Sequence, residues 1–319
     1  MHWNFRDILH GPNEPRFEAS DGPLVVEIGF GNGEYLEHLA TTRPGSTVIG
    51  IEISQWCLAK GARRVLAGGF KNVRLMLGDA RYLLKYAFDC CCISEVFMNF
   101  PCPWPKRRHS ERRVNRSEFA ELVNSRLAAD GTFTLTTDVD WYAEETRTVF
   151  SVKSFETGPV VRIQPREYQT KYERKWLEMG RDIYEVCAKK NEFTLDSSHI
   201  QSEEQKTVES MESTDIFDAE KFRELVESLE DDSLDSQNPD YRVVFREIFF
   251  GTDMSALIKV ISIDEGFEQH YHLKLVQTKD KLRAKIDSVG HPYKTPGVRA
   301  SLRHVMRKAG GEHVRVTAL

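Results

Sequence analysis

The sequence predicts an α/β protein with a parallel sheet, followed by a small α+β module. Two observations predict the sheet: short apolar runs alternate with amphipathic stretches over residues 24–190, and the connections between them are short. Such alternation favours parallel strands joined by right-handed crossovers. From residue 241 the pattern changes to consecutive strand-like runs closed by one basic helix, residues 297–310. At 319 residues, the chain is long enough for two domains.

The first elements are the most sharply marked. LVVEIG at 24–29 is a buried strand that ends in a glycine-rich turn, and the YLEHLA that follows has helical spacing. The remaining pattern predicts seven strands in all. In chain order it gives a strand at 46–54, a helix at 54–68, strands at 72–80 and 89–100, a helix at 117–131 stopped by Gly131, a strand at 132–138, a helix at 141–151, a strand at 159–164, a helix at 172–180 and a strand at 181–190.

Charge divides the chain into three parts, although the net charge is only −5. Residues 192–240 hold 16 acidic and 3 basic side chains, whereas residues 241–319 hold 14 basic and 8 acidic ones. We therefore predict a domain at 1–191, an acidic linker at 192–240 with one helical stretch, and a small α+β domain at 241–319. The negative charge of the acidic segment offsets the mildly positive charge of the parts on either side of it. The net charge of the chain therefore does not exclude a nucleic-acid partner.

Several classes of protein are disfavoured by composition. Six cysteines without a CxxC pair form neither a disulfide framework nor a metal site, and Cys90, Cys91 and Cys92 fit an apolar strand. The chain has no run of about 18 apolar residues, so the sequence predicts no membrane span. The first 18 residues carry charges and prolines where a signal peptide has an apolar core. The sequence predicts a cytoplasmic protein without a bound metal.

Glycines and acids follow the first three strands. Glu27 precedes Gly29, Gly31 and Gly33, a turn that lets the backbone approach a ligand closely. Glu52 ends the second strand, where a carboxylate can accept from both hydroxyls of a ribose, and Asp79 ends the third, within reach of an adenine amino group. These groups share one edge of a parallel sheet, and their order predicts S-adenosyl-L-methionine rather than NAD as cofactor.

The loop after the fourth strand combines aromatic and basic residues. It reads NFPCPWPKRRHSERRV, and its Trp104 adjoins the positive run. This composition is typical of segments that stack bases and bind phosphates, and the loop adjoins the predicted active site. The alternative is a solvated charged loop. The candidate nucleic-acid contacts are Lys106, Arg107, Arg108, His109, Arg112 and Arg113.

Residues 24–190 resemble the TrmB family of tRNA (guanine-N7)-methyltransferases. The resemblance lies in EIGFGNGEYLEHLA, IGIEIS, LGDA, FPxPWPKRRHxxRR, the TTD of the fifth strand and a late TKYE. It implies a Rossmann-like, seven-stranded methyltransferase that acts on guanosine 46 of the tRNA variable loop. By this resemblance, Glu27, Glu52 and Asp79 would hold the cofactor. Lys106, Asp138, Thr170 and Glu173 would contact the substrate or shape its pocket.

One position departs from the family pattern. The loop usually reads FPDPW, with aspartate where this chain has Cys102. A cysteine here also fits cytosine C5 methylation, which needs a thiolate to attack C6. Guanine N7 needs no such attack because it carries an exposed lone pair, and Asp138 could stabilise the charge that develops on the base. Three readings stay open: guanine N7 methylation, cytosine C5 methylation through Cys102, and an inactive tRNA-binding relative.

The sequence leaves the role of the carboxyl-terminal module open. Its helix places Arg299, Arg303, Arg307 and Lys308 at helical spacing, which suits either contact with tRNA or an ordinary solvated face. The oligomeric state is equally open between a monomer and a homodimer.

Overall fold

A computed structural model describes residues 8–11, 15–106, 113, 115–166, 168–191, 210–287, 292–310 and 315–317. The chain divides into two compact units, Met1–Ile200 and Gln201–Leu319. Each unit has a sheet of its own.

Strands and helices alternate along the first unit. Its strands are β1 (Leu24–Ile28), β2 (Thr47–Glu52), β3 (Val73–Leu77), β4 (Ile93–Asn99), β5 (Leu127–Thr137), β6 (Phe155–Thr157), β7 (Val161–Ile163) and β8 (Ile183–Lys190). Its helices are α1 (Glu34–Thr42), α2 (Gln55–Gly68), α3 (Ala80–Ala87), α4 (Ser117–Arg126), α5 (Asp140–Ser151) and α6 (Lys171–Glu178).

The strand order places a crevice between β1 and β4. Seven strands run in the order β3-β2-β1-β4-β5-β8-β6, and β7 pairs with β8 beside this path. The first five are parallel, as predicted, whereas β8 runs antiparallel to β5. From β1 the chain winds outward through β2 and β3, then returns to the other side of β1 at β4. In open α/β sheets, ligands bind at the carboxyl ends of the strands where the order reverses in this way.

The edges of this sheet are short. On one side β3 is the last strand, and its Leu75 pairs with Leu9 and accepts a hydrogen bond from the His10 amide at 2.9 Å. On the other side the last strand, β6, has three residues.

Several elements differ from the prediction. Strand β6 was not predicted, and the strand predicted at 89–100 begins only at Ile93, after Cys90, Cys91 and Cys92. The sequence pattern overlooked α3, which forms the crossover from β3 to β4 and buries Leu83 and Leu84. The helix predicted at 117–131 ends at Arg126, because Leu127 already pairs with Ile93 of β4. The glycine expected to stop the helix therefore lies inside β5.

The second unit contains a seven-stranded sheet in the order β10-β11-β12-β13-β14-β9-β15. Its strands are β9 (Ser210–Ser213), β10 (Ser233–Gln237), β11 (Asp240–Phe250), β12 (Ser255–Asp264), β13 (Phe267–Gln277), β14 (Leu282–Ile286) and β15 (Arg315–Thr317). All adjacent strands are antiparallel. Its helices are α7 (Ala219–Glu227) and α8 (Pro296–Lys308).

Most of the predicted acidic linker is folded. Within 192–240, residues 192–209 lie outside the described part of the chain, but β9, α7 and β10 follow them. Helix α7 buries Phe222 and Val226 in the core of the second unit, while its charged residues face outward. The helix α7 agrees with the predicted helical stretch, whereas the strands β9 and β10 were not predicted.

Both helices of the second unit pack on one face of its sheet. They share one apolar core with alternate residues of the central strands, including Ile258 and Val260 of β12 and Tyr271 and Leu273 of β13. Because side chains alternate along a strand, the residues between these point to the opposite face.

Candidate active site at the β1–β4 switch

Three glycines shape the turn that follows β1. Gly29, Gly31 and Gly33 have φ of 72°, 56° and 74°, a region that residues with a Cβ rarely adopt. A Cβ at Gly29 or Gly31 would meet no heavy atom within 4 Å, so open space adjoins the turn. At Gly33 a Cβ would lie 3.0 Å from the Cα of Gly61. The first two glycines thus leave room for a ligand, and the third lets two helices approach.

Glu52 fixes this turn from the neighbouring strand. Its buried carboxylate accepts hydrogen bonds from the amides of Gly31 and Ser54, both at 3.0 Å. The carboxylate that the sequence assigned to a ribose therefore also holds the ends of β1 and β2 together.

Among the acids of the site, Glu27 has the most strongly shifted pKa. It is buried, its Oε1 accepts from Asn99 Nδ2 at 3.4 Å, and its Oε2 has no hydrogen-bond partner among the described residues. Burial raises the pKa of this carboxyl to about 8, and the amide of Asn99 opposes that rise only in part. A buried carboxyl oxygen without a partner suits a cationic or hydrogen-donating ligand.

Asp79 has local partners in this structure. It caps α3, accepting from the Arg81 amide at 2.9 Å, and it forms an ion pair with the Arg81 side chain. Exposed apolar side chains lie at the ends of the same two strands: Leu77 ends β3 and is 39% exposed, and Ile53 follows β2 and is 70% exposed. Exposed apolar side chains after neighbouring strands offer faces for a flat ring, a feature the sequence reasoning missed.

The loop after β4 begins in a strained conformation. Phe100 and Trp104 have φ of 51° and 42°, which is unfavourable for bulky residues, and the Phe100 amide donates to Thr136 at 2.7 Å. Such strain is concentrated at functional sites. Cys102 and Lys106 are exposed on this loop. Arg107, Arg108, His109 and Arg112 lie outside the described residues.

Arg113 is turned toward the protein. Its guanidinium donates to the carbonyl of Trp104 at 3.2 Å and to Glu145 of α5 at 2.8 Å, and it lies 5.0 Å from the ring centre of Trp141. In the described structure this residue anchors the loop, whereas the sequence predicted a contact with nucleic acid.

Asp138 follows β5 and is ion-paired with Arg181. The guanidinium of Arg181 lies 4.3 Å from the ring centre of Trp176, so an aromatic ring and a carboxylate hold it together. No local sequence pattern marks this partner, because it lies 43 residues away from Asp138.

Thr170 and Glu173 have distinct roles at the start of α6. The hydroxyl of Thr170 caps the helix by accepting from the Glu173 amide at 3.2 Å. Glu173 is fully buried, and its carboxylate binds the Arg166 guanidinium at 2.7 Å. Glu34 accepts from the Lys171 amide and from Arg174, which ties the starts of α1 and α6 together.

These elements enclose one cavity at the switch point. Its lining includes four of the predicted residues, Glu27, Gly29, Gly31 and Thr170, together with Asn99 and Phe100 from the loop after β4. The other described candidates do not line it: Gly33, Glu52, Asp79, Cys102, Lys106, Arg113, Asp138 and Glu173. Asn99 was detectable from sequence, since it ends the fourth strand.

No helix in the described residues is long and apolar enough to cross a membrane. Within the same residues, no group of three or more His, Cys, Asp or Glu side chains is arranged to hold a metal ion.

A doubly wound sheet with a glycine turn after β1 and carboxylates at its strand ends is built to bind a nucleotide-like ligand at the switch point, and the comparisons that follow make it a class I methyltransferase that uses S-adenosyl-L-methionine. Residues 21–186 match a family model described as "Putative methyltransferase". The tRNA (guanine-N(7)-)-methyltransferase of Thermotoga maritima is 34% identical over 93% of this chain and 95% of its own. That of Aquifex aeolicus is 27% identical over 88% of this chain and 92% of its own. The chain belongs to the tRNA (guanine-N(7)-)-methyltransferase family.

Proposed function

We propose that this protein transfers a methyl group from S-adenosyl-L-methionine to N7 of guanosine 46 in the variable loop of tRNA. The observation that carries the proposal is the match to the Thermotoga maritima enzyme, because it covers nearly all of both chains. It includes the second unit, which lies beyond the matched family model.

The cavity suits the chemistry of the cofactor. S-adenosyl-L-methionine carries a positive ammonium and a sulfonium, and Glu27 offers a buried oxygen without a described partner. Gly29 and Gly31 leave space beside the backbone. We assign the ribose to Glu52 and the adenine to the apolar pair Ile53 and Leu77, with Asp79 at its edge.

The cofactor supplies an electrophilic methyl group, and the protein must align guanine N7 with it. N7 brings its own lone pair, so no side chain has to activate it. Positive charge develops on the purine, and Asp138 is the carboxylate we assign to stabilise it. In the free protein Arg181 pairs with that carboxylate, so the ion pair must open or shift when the base binds.

The thiol of Cys102 has no role in this reaction. It is exposed on the loop, and guanine N7 needs no covalent attack by a thiol, whereas a C5 enzyme requires one. The lost loop aspartate is compensated, on this proposal, by Asp138.

The test is methyl transfer to an unmodified tRNA transcript, followed by nucleoside analysis of the digest. We expect 7-methylguanosine, and a matched transcript with adenosine at position 46 should accept no methyl group. Formation of 5-methylcytidine would overturn the proposal in favour of C5 chemistry, and binding without transfer would indicate an inactive relative. A cytoplasmic location and a monomeric or homodimeric state remain predictions, to be checked by fractionation and by size-exclusion chromatography with light scattering.

A further inference from the structure

One face of the second sheet carries no helix from the described residues of that unit. Both α7 and α8 contribute to the core on the other face. On the uncovered face, β12 presents Leu257, Lys259 and Ile261, which are partly exposed and alternate with buried core residues. Side chains on this face are therefore available for a partner.

The strand register gathers basic side chains on this face, beside Glu268 of β13 and Glu212 of β9. Lys259 of β12 lies opposite His272 of β13, and Lys274 of β13 lies opposite Lys285 of β14. Arg283 is two residues from Lys285 on the same side of β14, since alternate residues of a strand share a face. We call these five residues the basic strip: Lys259, His272, Lys274, Arg283 and Lys285.

The centre of the basic strip is a pair of like charges. Cross-strand neighbours have Cβ atoms roughly 5 Å apart, and equal charges placed directly opposite destabilise a sheet. At the ends of the strip, Lys259 pairs with Glu247 at 3.1 Å and Arg283 with Glu212 at 3.5 Å. No such ion pair within 4.0 Å joins Lys274 or Lys285 to a carboxylate of the described residues. An anion bound between the two lysines would relieve their repulsion.

Apolar side chains extend the same row. Phe249 of β11 lies opposite Leu257, which in turn lies opposite Lys274. Phe249 is 52% exposed. An aromatic ring beside a line of cations matches single-stranded or looped RNA, whose bases stack while its phosphates bind the cations.

Helix α8, the basic element evident from sequence, is less available. Arg299 is buried, and Lys308 binds Asp232 and the carbonyl of Ser228. Asp232 also binds His304 at 2.7 Å. These contacts engage His304 and Lys308 within the unit. Arg303 and Arg307 of the same helix stay exposed.

We propose that the basic strip binds the phosphate backbone of tRNA, with Lys274 and Lys285 as its central contacts. The proposal rests on the proposed function, which makes tRNA the substrate. It assigns the second unit a role in holding the substrate through its sheet face.

The test uses the full chain with Lys274→Gln and Lys285→Gln together. Binding of an unmodified tRNA is measured by fluorescence anisotropy between ~50 and ~200 mM salt. Loss of two phosphate contacts should lower the slope of log K against log[salt] by about 1.4–1.8, and weaken binding roughly 15- to 30-fold at ~0.15 M salt. Affinity for S-adenosyl-L-methionine and resistance to urea should not fall.

The matched control removes two charges from the helical face, by Arg303→Gln with Arg307→Gln. The control should bind tRNA like the wild type. A double lysine variant with an unchanged salt slope, or a control that loses as much affinity, would overturn the proposal. Wild-type formation of 7-methylguanosine is scored separately. If the wild type forms no 7-methylguanosine but the double lysine variant still loses tRNA affinity, the proposed function is wrong and the proposed binding surface is supported.

Discussion

Replacing Glu27 by Gln should stabilise the first unit at neutral pH, by an amount that grows with pH. The folded carboxyl has a pKa of about 8 against an ordinary value of 4.5, so between these values the unfolded chain releases a proton that the folded chain keeps. The contribution of this carboxyl to the free energy of unfolding is therefore fully present below about pH 4.5, and it is lost as the pH rises to about 8. At pH 7 the loss is about 3 kcal/mol, from about 1.4 kcal/mol per pKa unit. Glutamine has no proton to lose and keeps an oxygen for Asn99.

Tryptophan fluorescence isolates the unit that carries Glu27. All five tryptophans lie before residue 177, so urea unfolding followed by their emission reports on the first unit. Between ~pH 5.5 and ~pH 7.5, the difference in unfolding free energy between variant and wild type should grow by about 2–3 kcal/mol. Glu118→Gln removes an exposed carboxylate from α4 and should change stability by less than ~0.5 kcal/mol at both pH values.

A constant difference between the Glu27→Gln variant and the wild type across this range would refute the reasoning. It would mean that the carboxyl is ionised in the folded protein and that its second oxygen finds a partner. The same variant should bind S-adenosyl-L-methionine more weakly, because an amide does not balance the cofactor's positive charge. Substitution of a residue that binds the cofactor can raise stability and weaken cofactor binding together. Substitution of a residue with only a structural role does not give this combination.

Substitutions at three further residues test other parts of the site. Glu52→Ala should weaken S-adenosyl-L-methionine binding by about 2–3 kcal/mol, because hydroxyl and amide donors lose their acceptor; unchanged affinity by calorimetry in a folded variant would contradict this placement of the ribose. Cys102→Ala and Cys102→Asp should both retain substantial methyl transfer, and RNA containing 5-fluorocytidine should trap no adduct on denaturing gels; a thiol-dependent adduct would restore the C5 mechanism. Arg113→Ala should lower the unfolding free energy of the first unit by about 2 kcal/mol, since the carbonyl of Trp104 and the carboxylate of Glu145 both lose a charged donor. Weaker tRNA binding with unchanged urea stability would instead place Arg113 on the RNA.

The sequence predicted well where local pattern determines structure. The glycine turn has the positive φ values that its composition implies, and five strands are parallel as their alternation with helices predicts. Glu27 and Glu52 lie at the carboxyl ends of adjacent strands because topology alone places strand ends together.

Pairings between distant residues were not predictable. Nothing in the sequence distinguishes Arg113 from its basic neighbours, yet it forms an ion pair with Glu145. Glu173 was expected to contact the substrate or to shape its pocket, and its partner Arg166, which binds its buried carboxylate, could not be predicted. In residues 210–240 the helix was predicted but the two strands were not, because their short polar segments lack the alternation of apolar residues that marks a strand.

The short outer strands of both sheets bear on how the protein behaves at high concentration. An unpaired strand edge is a template on which another chain can add, and proteins resist this by keeping such edges short, polar or covered. Here β6 has three residues, Leu75 of β3 is covered by Leu9, and the outer strand β10 reads SLDSQ. At the far end of the second sheet, β15 again has three residues. In the part of the chain that the structure describes, the four outer strands offer little backbone for pairing with another chain, which disfavours association through strand edges.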